Sequence, residues 1–129
     1  MNIHKSAEDY LEAILVLQAQ NGYVRSVDIA EKLSVTKPSV SVAMKGLRTD
    51  GYIDMLPTGQ ITLAPKGKEI AERIYERHQF LLNWLVKLGL DPKTAEEDAC
   101  RIEHDVSAET FTAIKGYVES TLDSFVSKE

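Results

Sequence analysis

Cys100, Glu103 and His104 stand at i, i+3 and i+4, so on a helix all three side chains leave one face. A thiolate, a carboxylate and an imidazole together form a donor set of borderline softness. It suits Fe(II), Mn(II), Co(II), Ni(II) or Zn(II) and does not suit calcium, which takes oxygen ligands. Three donors from one helix leave a cation incompletely surrounded, and two further sources of ligands occur. Asp9 and Glu12 lie at i, i+3, off the apolar stripe of an earlier helical segment. His78 lies on an apolar stripe and is expected to point inward. Each residue also has a plain structural use. Ser6-x-x-Asp9 has the form of a capping box, and His78 reads equally as a hydrogen-bonded core histidine. Cys100 reads as a small buried apolar residue and Glu103-His104 as a solvated pair. Cys100 and His104 also have the spacing of a nucleophile and its base. No nucleophile elbow, oxyanion loop or pocket-forming sheet accompanies them, so an enzyme is not expected.

The elements that position these residues are almost all helical. Ser6 to about Gln20 repeats apolar residues at Ala7, Leu11, Ile14 and Leu15, and Asn21-Gly22 ends the repeat. Ser26 is read as the N-cap of a short helix through Leu33 that buries Val27, Ala30 and Leu33. A turn at Ser34-Val35 leads to a third helix opening at Thr36-Lys37-Pro38, with Val40, Met44 and Leu47 inward and Asp50-Gly51 as its stop. Tyr52–Met55 and Ile61–Leu63 alternate like strands around Pro57-Thr58-Gly59. This order outlines a winged helix-turn-helix. A long helix follows from Pro65 to about Leu88, with the stripe Ile70, Ile74, His78, Leu81, Leu85 and Leu88. Asp91-Pro92 opens a fifth helix whose inner face is Ala95, Ala99, Ile102 and Val106, about a third of a turn from the Cys100 face. Ser107 caps a sixth, carrying Phe111, Ile114, Val118, Leu122 and Phe125. The expected class is mainly α, with a winged helix-turn-helix domain over 1–72 and a helical domain over 73–129. The boundary falls inside a helix, which predicts rigid coupling.

The 129 residues are 43% hydrophobic and 27% charged, with one cysteine, which excludes disordered, collagenous and disulfide-built classes. No segment reads as a signal peptide or a membrane span, and a cytoplasmic protein with no membrane partner is expected. The formal net charge of −5 speaks against nucleic acid until it is mapped. Residues 25–73 hold eight basic and six acidic side chains, while 74–129 hold six and eleven. The mildly basic middle contains the third helix. With Val40, Met44 and Leu47 inward, its outer side presents Thr36, Lys37, Pro38, Ser39, Ser41, Val42, Lys45 and Arg48. Small hydroxyl residues let a helix N-terminus approach a major groove closely. Lys37, Lys45 and Arg48 are placed to neutralise phosphates, with Arg25 and the turn at Thr58 reaching the flanking backbone. No arginine stands at the helix start to read guanine, so indirect readout is expected to carry more of the specificity.

Together these motifs resemble the diphtheria-toxin-repressor family of metal-dependent transcriptional regulators, in a short form without the SH3-like domain. The resemblance is carried by Ser6–Glu12, Asp28–Leu33, Pro38-Ser39-Val40-Ser41, Leu63-x-x-Lys66-Gly67, Arg77-His78 and Cys100–His104. It implies a homodimer joined through the helical domain and a palindromic DNA operator near iron (or manganese) uptake genes, with repression as the output. Matched position by position, it implies metal ligands at Asp9, Glu12, His78, Cys100, Glu103 and His104. Iron-type members carry Cys where Cys100 stands but Met in place of Asp9, and manganese-type members carry the first-helix carboxylates but Glu in place of Cys100. The chain is a hybrid. Fe(II) is the expected preference, with Mn(II) accepted and Co(II), Ni(II) and Zn(II) as surrogates. Leu82 and Glu96 replace a carboxylate and a histidine of the family's second site. The competing reading is a metal-independent winged-helix regulator that senses a small molecule.

Overall fold

The computed structural model describes the backbone of residues 5–126 and the side chains of residues 5–121. Among the described residues the order is α1 (Lys5–Asn21), α2 (Ser26–Leu33), α3 (Lys37–Thr49), β1 (Ile53–Met55), β2 (Ile61–Leu63), α4 (Pro65–Lys87), α5 (Pro92–Asp105) and α6 (Ala108–Val126). The chain forms two compact units that divide at Tyr75/Glu76, within α4. None of the described helices is long and apolar enough to cross a membrane.

The first unit is a winged helix-turn-helix. Leu11 and Ile14 of α1, Ile29 of α2, Val40 and Met44 of α3, and Ile53 and Ile61 of the hairpin form its core. Thr36 caps α3, accepting the Ser39 N–H at 3.3 Å, and Pro38 occupies the first turn, where a missing N–H costs nothing. Ser34 takes a left-handed conformation (φ 56°), which lets the Val35 N–H reach the Ala30 carbonyl and turns the chain between α2 and α3. The hairpin is antiparallel, pairing Ile53 with Leu63 and Met55 with Ile61. Its turn closes through Gly59 at φ +88°.

Three expectations need correction. The N-cap of α2 is Arg25, whose backbone N–H is accepted by Asp28 Oδ2 at 3.0 Å, and Ser26 lies inside the helix. The buried residues of α2 are Ile29 and Ala30, while Val27 is exposed and Leu33 half-buried. Ser6 also lies within α1, so it does not cap it.

The second unit packs α4, α5 and α6 around Leu81, Leu85, Ala95, Ala99 and Phe111. Ala95 and Ala99, one turn apart on α5, are fully buried in this cluster. Phe80 and Phe111 meet edge-on with ring centroids 5.6 Å apart. Asp91 caps α5 through the Lys93 and Thr94 N–H groups, and Ser107 caps α6 through that of Thr110. Leu88 leaves the expected stripe and is exposed, because the helix ends at Lys87. Val118 is buried and Ile114 half-buried, whereas the side chains of Leu122 and Phe125 lie outside the described residues.

Gly67 sets the junction between the hairpin and α4. A Cβ there would strike the Tyr52 carbonyl oxygen, which accepts the Ala64 N–H at 3.0 Å and is therefore held in place. Gly67→Ala is expected to destabilise the protein by about 1–3 kcal/mol, the usual cost of overpacking a fixed backbone. Urea unfolding of the two chains measures it, and an unchanged midpoint would show that the Tyr52 turn yields freely.

Candidate functional site

The last turns of α5 carry Cys100, Glu103 and His104 on one face, and one ligand atom from each lies within 4.8 Å of the others. Glu103 is the centre of this group. Its side chain has no exposure, His104 is nearly as deep, and Cys100 is half-buried. Burying a carboxylate costs several kcal/mol unless partners replace its lost water. Glu103 Oε2 lies 2.7 Å from His78 Nδ1. Glu103 Oε1 accepts no hydrogen bond among the described residues, although His104 Nε2 lies 3.3 Å away.

His78 is held on both sides. Its Nδ1 meets Glu103 and its Nε2 meets the exposed Glu96 at 2.9 Å. The Glu103 hydrogen bond, opposed by burial and supported by the charges of Glu103 and Glu96, raises the imidazole from 6.5 to about 9. His78 thus stands as a hydrogen-bonded core histidine. Its ligation to a cation would exchange one of these two bonds for a bond to metal.

Arg77, which spacing did not single out, orders the same turn. Its Nη1 donates to the main-chain carbonyls of Glu103 at 3.1 Å and Val106 at 3.2 Å, and its guanidinium stacks on Phe111 at 5.1 Å. A cation at a helix C-terminus satisfies carbonyls that the helix leaves open and favours its dipole. The sequence held one signal for it, a basic residue beside the inward-facing His78 on α4.

The donor chemistry fits a divalent transition metal. A thiol, a buried carboxylate oxygen without a hydrogen bond and an imidazole converge, and water is largely excluded. Asp9 and Glu12 are half-buried on α1 of the first unit.

The first unit exposes the other candidate surface. Lys37, Pro38, Ser39, Ser41, Val42, Lys45 and Arg48 are all exposed on α3, with Thr36 at its cap. The Thr36 and Ser39 hydroxyls bond each other at 2.8 Å, so they serve the cap as well as facing outward. Arg25 is exposed, its guanidinium 5.7 Å from the Tyr23 ring centre.

Because its pKa is raised on folding, His78 adds stability that is fully present below pH 6.5 and is lost as pH rises through about 9. In the presence of a chelator, the urea midpoint of the protein is therefore expected to fall between pH 7 and pH 9.5. In His78→Gln that part of the fall should be missing. Equal pH slopes for the two chains would show that the Glu103 and Glu96 contacts do not hold the proton.

Both halves of the chain match models of known domains. Residues 2–60 match the N-terminal DNA-binding domain of iron-dependent repressors, and residues 64–121 match their metal-binding and dimerisation domain. The transcriptional regulator MntR of Salmonella typhimurium is 38% identical over 112 residues, covering 87% of this chain and 71% of that protein. An uncharacterised helix-turn-helix regulator of Methanocaldococcus jannaschii is 37% identical over 121 residues, covering 92% of this chain and 97% of that protein. Among solved structures, the manganese regulator SloR superposes with a TM-score of 0.78 at 28% identity over 92% of this chain. The chain spans about half the length of that structure, 55%. A DNA-binding domain followed by a metal-binding and dimerisation domain is the order that the two matches give, and the chain belongs to the diphtheria-toxin-repressor family of metal-dependent transcriptional regulators.

Proposed function

We propose that the chain is a cytoplasmic, metal-dependent repressor of iron or manganese uptake genes, acting as a homodimer on a palindromic double-stranded operator and catalysing no reaction. The convergence of Cys100, Glu103 and His104 in a family of metal-dependent regulators carries this reading. In it, residues 1–72 read DNA, and residues 73–129 hold the metal and the partner protomer. Cys100, Glu103 and His104 are ligands, His78 joins them by giving up one carboxylate, and Asp9 and Glu12 complete the set. When bound, a divalent cation supplies positive charge and directional bonds to these donors. The first-helix carboxylates belong to the reading head, so ligand bonds to them constrain where that head stands. A dimer reads a palindrome only when its two recognition helices stand about 34 Å apart. On α3, Lys37, Lys45 and Arg48 neutralise phosphates while Thr36, Pro38, Ser39, Ser41 and Val42 face the groove. Arg25 touches the flanking backbone.

The thiol at Cys100 favours Fe(II) over Mn(II), while the carboxylates of Asp9 and Glu12 keep Mn(II) acceptable. Co(II), Ni(II) and Zn(II) act as surrogates in this reading.

Binding of a promoter-derived duplex library under anaerobic conditions tests both parts. A chelator is expected to abolish retention, and Fe(II) to restore it at lower free concentration than Mn(II). Cys100→Glu should shift the preference toward Mn(II). Retention that ignores the chelator would instead support a metal-independent regulator, and an unchanged Fe(II)/Mn(II) ratio in the variant would remove Cys100 from the ligand set.

Lys37→Ala and Lys45→Ala should each weaken binding to all duplexes and reduce the slope of log K against log salt by about 0.9. If the slopes match that of the parent chain, α3 does not track phosphates.

A further inference from the structure

Val42 stands at the crest of α3 with 74% of its surface exposed, the highest value for a large apolar side chain among the described residues of the first unit. At about 100° per residue it lies roughly 170° around the helix from the centre of the Val40, Met44 and Leu47 stripe. Only Thr49, in the last turn, is aimed as directly away from the core. The residues one turn to either side, Pro38 and Gly46, form a row with it, and nothing lies within 4 Å of where a Cβ on Gly46 would be. With Ser39 and Ser41 also small, the isopropyl group projects above a low surface.

Single exposed apolar residues are common and by themselves mean little. This one lies on a helix whose charges are all of one sign. Lys37, Lys45 and Arg48 share α3 with no acidic residue, in a chain whose net charge is −5. A polyanion is the ligand complementary to that helix, and in a winged helix-turn-helix α3 is the element that enters the major groove. Valine neither donates nor accepts a hydrogen bond, so it can read only an apolar feature of the groove. The base edges offer one there, the C5-methyl of thymine, where cytosine presents an amino donor. The hydroxyls of Thr36 and Ser39 bond each other at 2.8 Å, which uses part of their capacity to read polar base edges.

We propose that Val42 is a base-reading residue that takes a thymine methyl in the major groove and so specifies thymine at one position of each half-site. This rests on the reading of α3 as the recognition helix in the function proposed above.

The experiment uses the full chain with Mn(II) and a duplex selected from a random library. Each thymine of the selected duplex is replaced in turn by deoxyuridine, which removes only the methyl. For the parent chain, one thymine in each half-site is expected to show a loss of about fourfold, the worth of burying one methyl-sized group. Val42→Ser and Val42→Asn, which put a polar group where the isopropyl stood, should bind the thymine duplex more weakly and lose the distinction between thymine and deoxyuridine at that position. Thermal unfolding of both variants checks that the exposed site leaves the fold intact. Loss at no thymine, or the same thymine/deoxyuridine ratio in parent and variants, overturns the role of Val42 while leaving DNA binding in place. If no duplex is retained by the parent chain, the regulator reading fails and this inference fails with it.

Discussion

The second unit is organised by one carboxylate with no exposure to water. Glu103 sits in the last turn of α5, and removing its hydration must be offset locally or the turn would not stay folded. Two consecutive residues of α4 provide the offset. His78 meets the side chain, and Arg77 meets the main-chain carbonyl of Glu103 and that of Val106. These bonds fix both the height and the rotation of α5 against α4. Cys100 and His104 inherit that registration, since each lies within one turn of Glu103 on the same helix. Phe111 of α6 closes the far side beneath the Arg77 guanidinium, and Lys115 ties α6 to Glu76 of α4. Each helix of the unit thus reaches the neighbourhood of one buried charge.

Stability alone does not call for such an arrangement. Replacing a buried ion pair by apolar residues of similar volume is often neutral or favourable, whereas removing one partner is costly. Leu81, Leu85, Ala95 and Ala99 already show that this interface packs by apolar contact. The polar cluster is also not closed on itself, because Glu103 Oε1 accepts no hydrogen bond among the described residues. A buried oxygen left in that state beside a thiol and an imidazole is suited to a further electrophile. This is the physical support for reading the face as a metal site and not as a polar plug in the core.

Local patterns in the sequence located most elements, and long-range pairings explain the rest. Thr36 and Pro38 marked the start of α3, and the Val40, Met44 and Leu47 spacing marked its inner face, because cap and periodicity agreed. Asp91-Pro92 and Ser107 were similarly readable. The eight residues of α2 were too few to choose between two apolar stripes. A bond from the Arg25 backbone N–H to the Asp28 side chain moved its start by one residue, and packing on the core buries Ile29 and leaves Val27 exposed. Of the site, the Cys100, Glu103 and His104 face was legible from spacing alone. The depth of Glu103 was not, since that face lies off the alanine stripe and is covered by residues 25 and 26 positions earlier. The pairing of His78 with Glu96 is likewise nonlocal. Arg77 had no periodic signature, as a single cation beside an apolar stripe is ordinarily solvated.

The two surfaces use electrostatics in opposite ways, and that bears on how weak the reading head should be alone. Three exposed cations on α3 release few counterions, and at physiological salt their field decays over about 8 Å. The acidic excess elsewhere in the chain opposes any wider attraction to a polyanion. Under the proposed function, one protomer therefore gains little from DNA, and useful affinity requires both heads of a dimer to bind together. Simultaneous binding is sensitive to the separation of the heads, because its advantage vanishes when geometry forbids the second contact. A modest constraint on that separation then controls occupancy strongly: a coupling of about 1–3 kcal/mol changes affinity by roughly 5- to 150-fold. A more basic α3 would bind DNA without the constraint and could not be switched. The sparse positive charge of this helix, set in a chain of net charge −5, is what a conditional DNA binder requires.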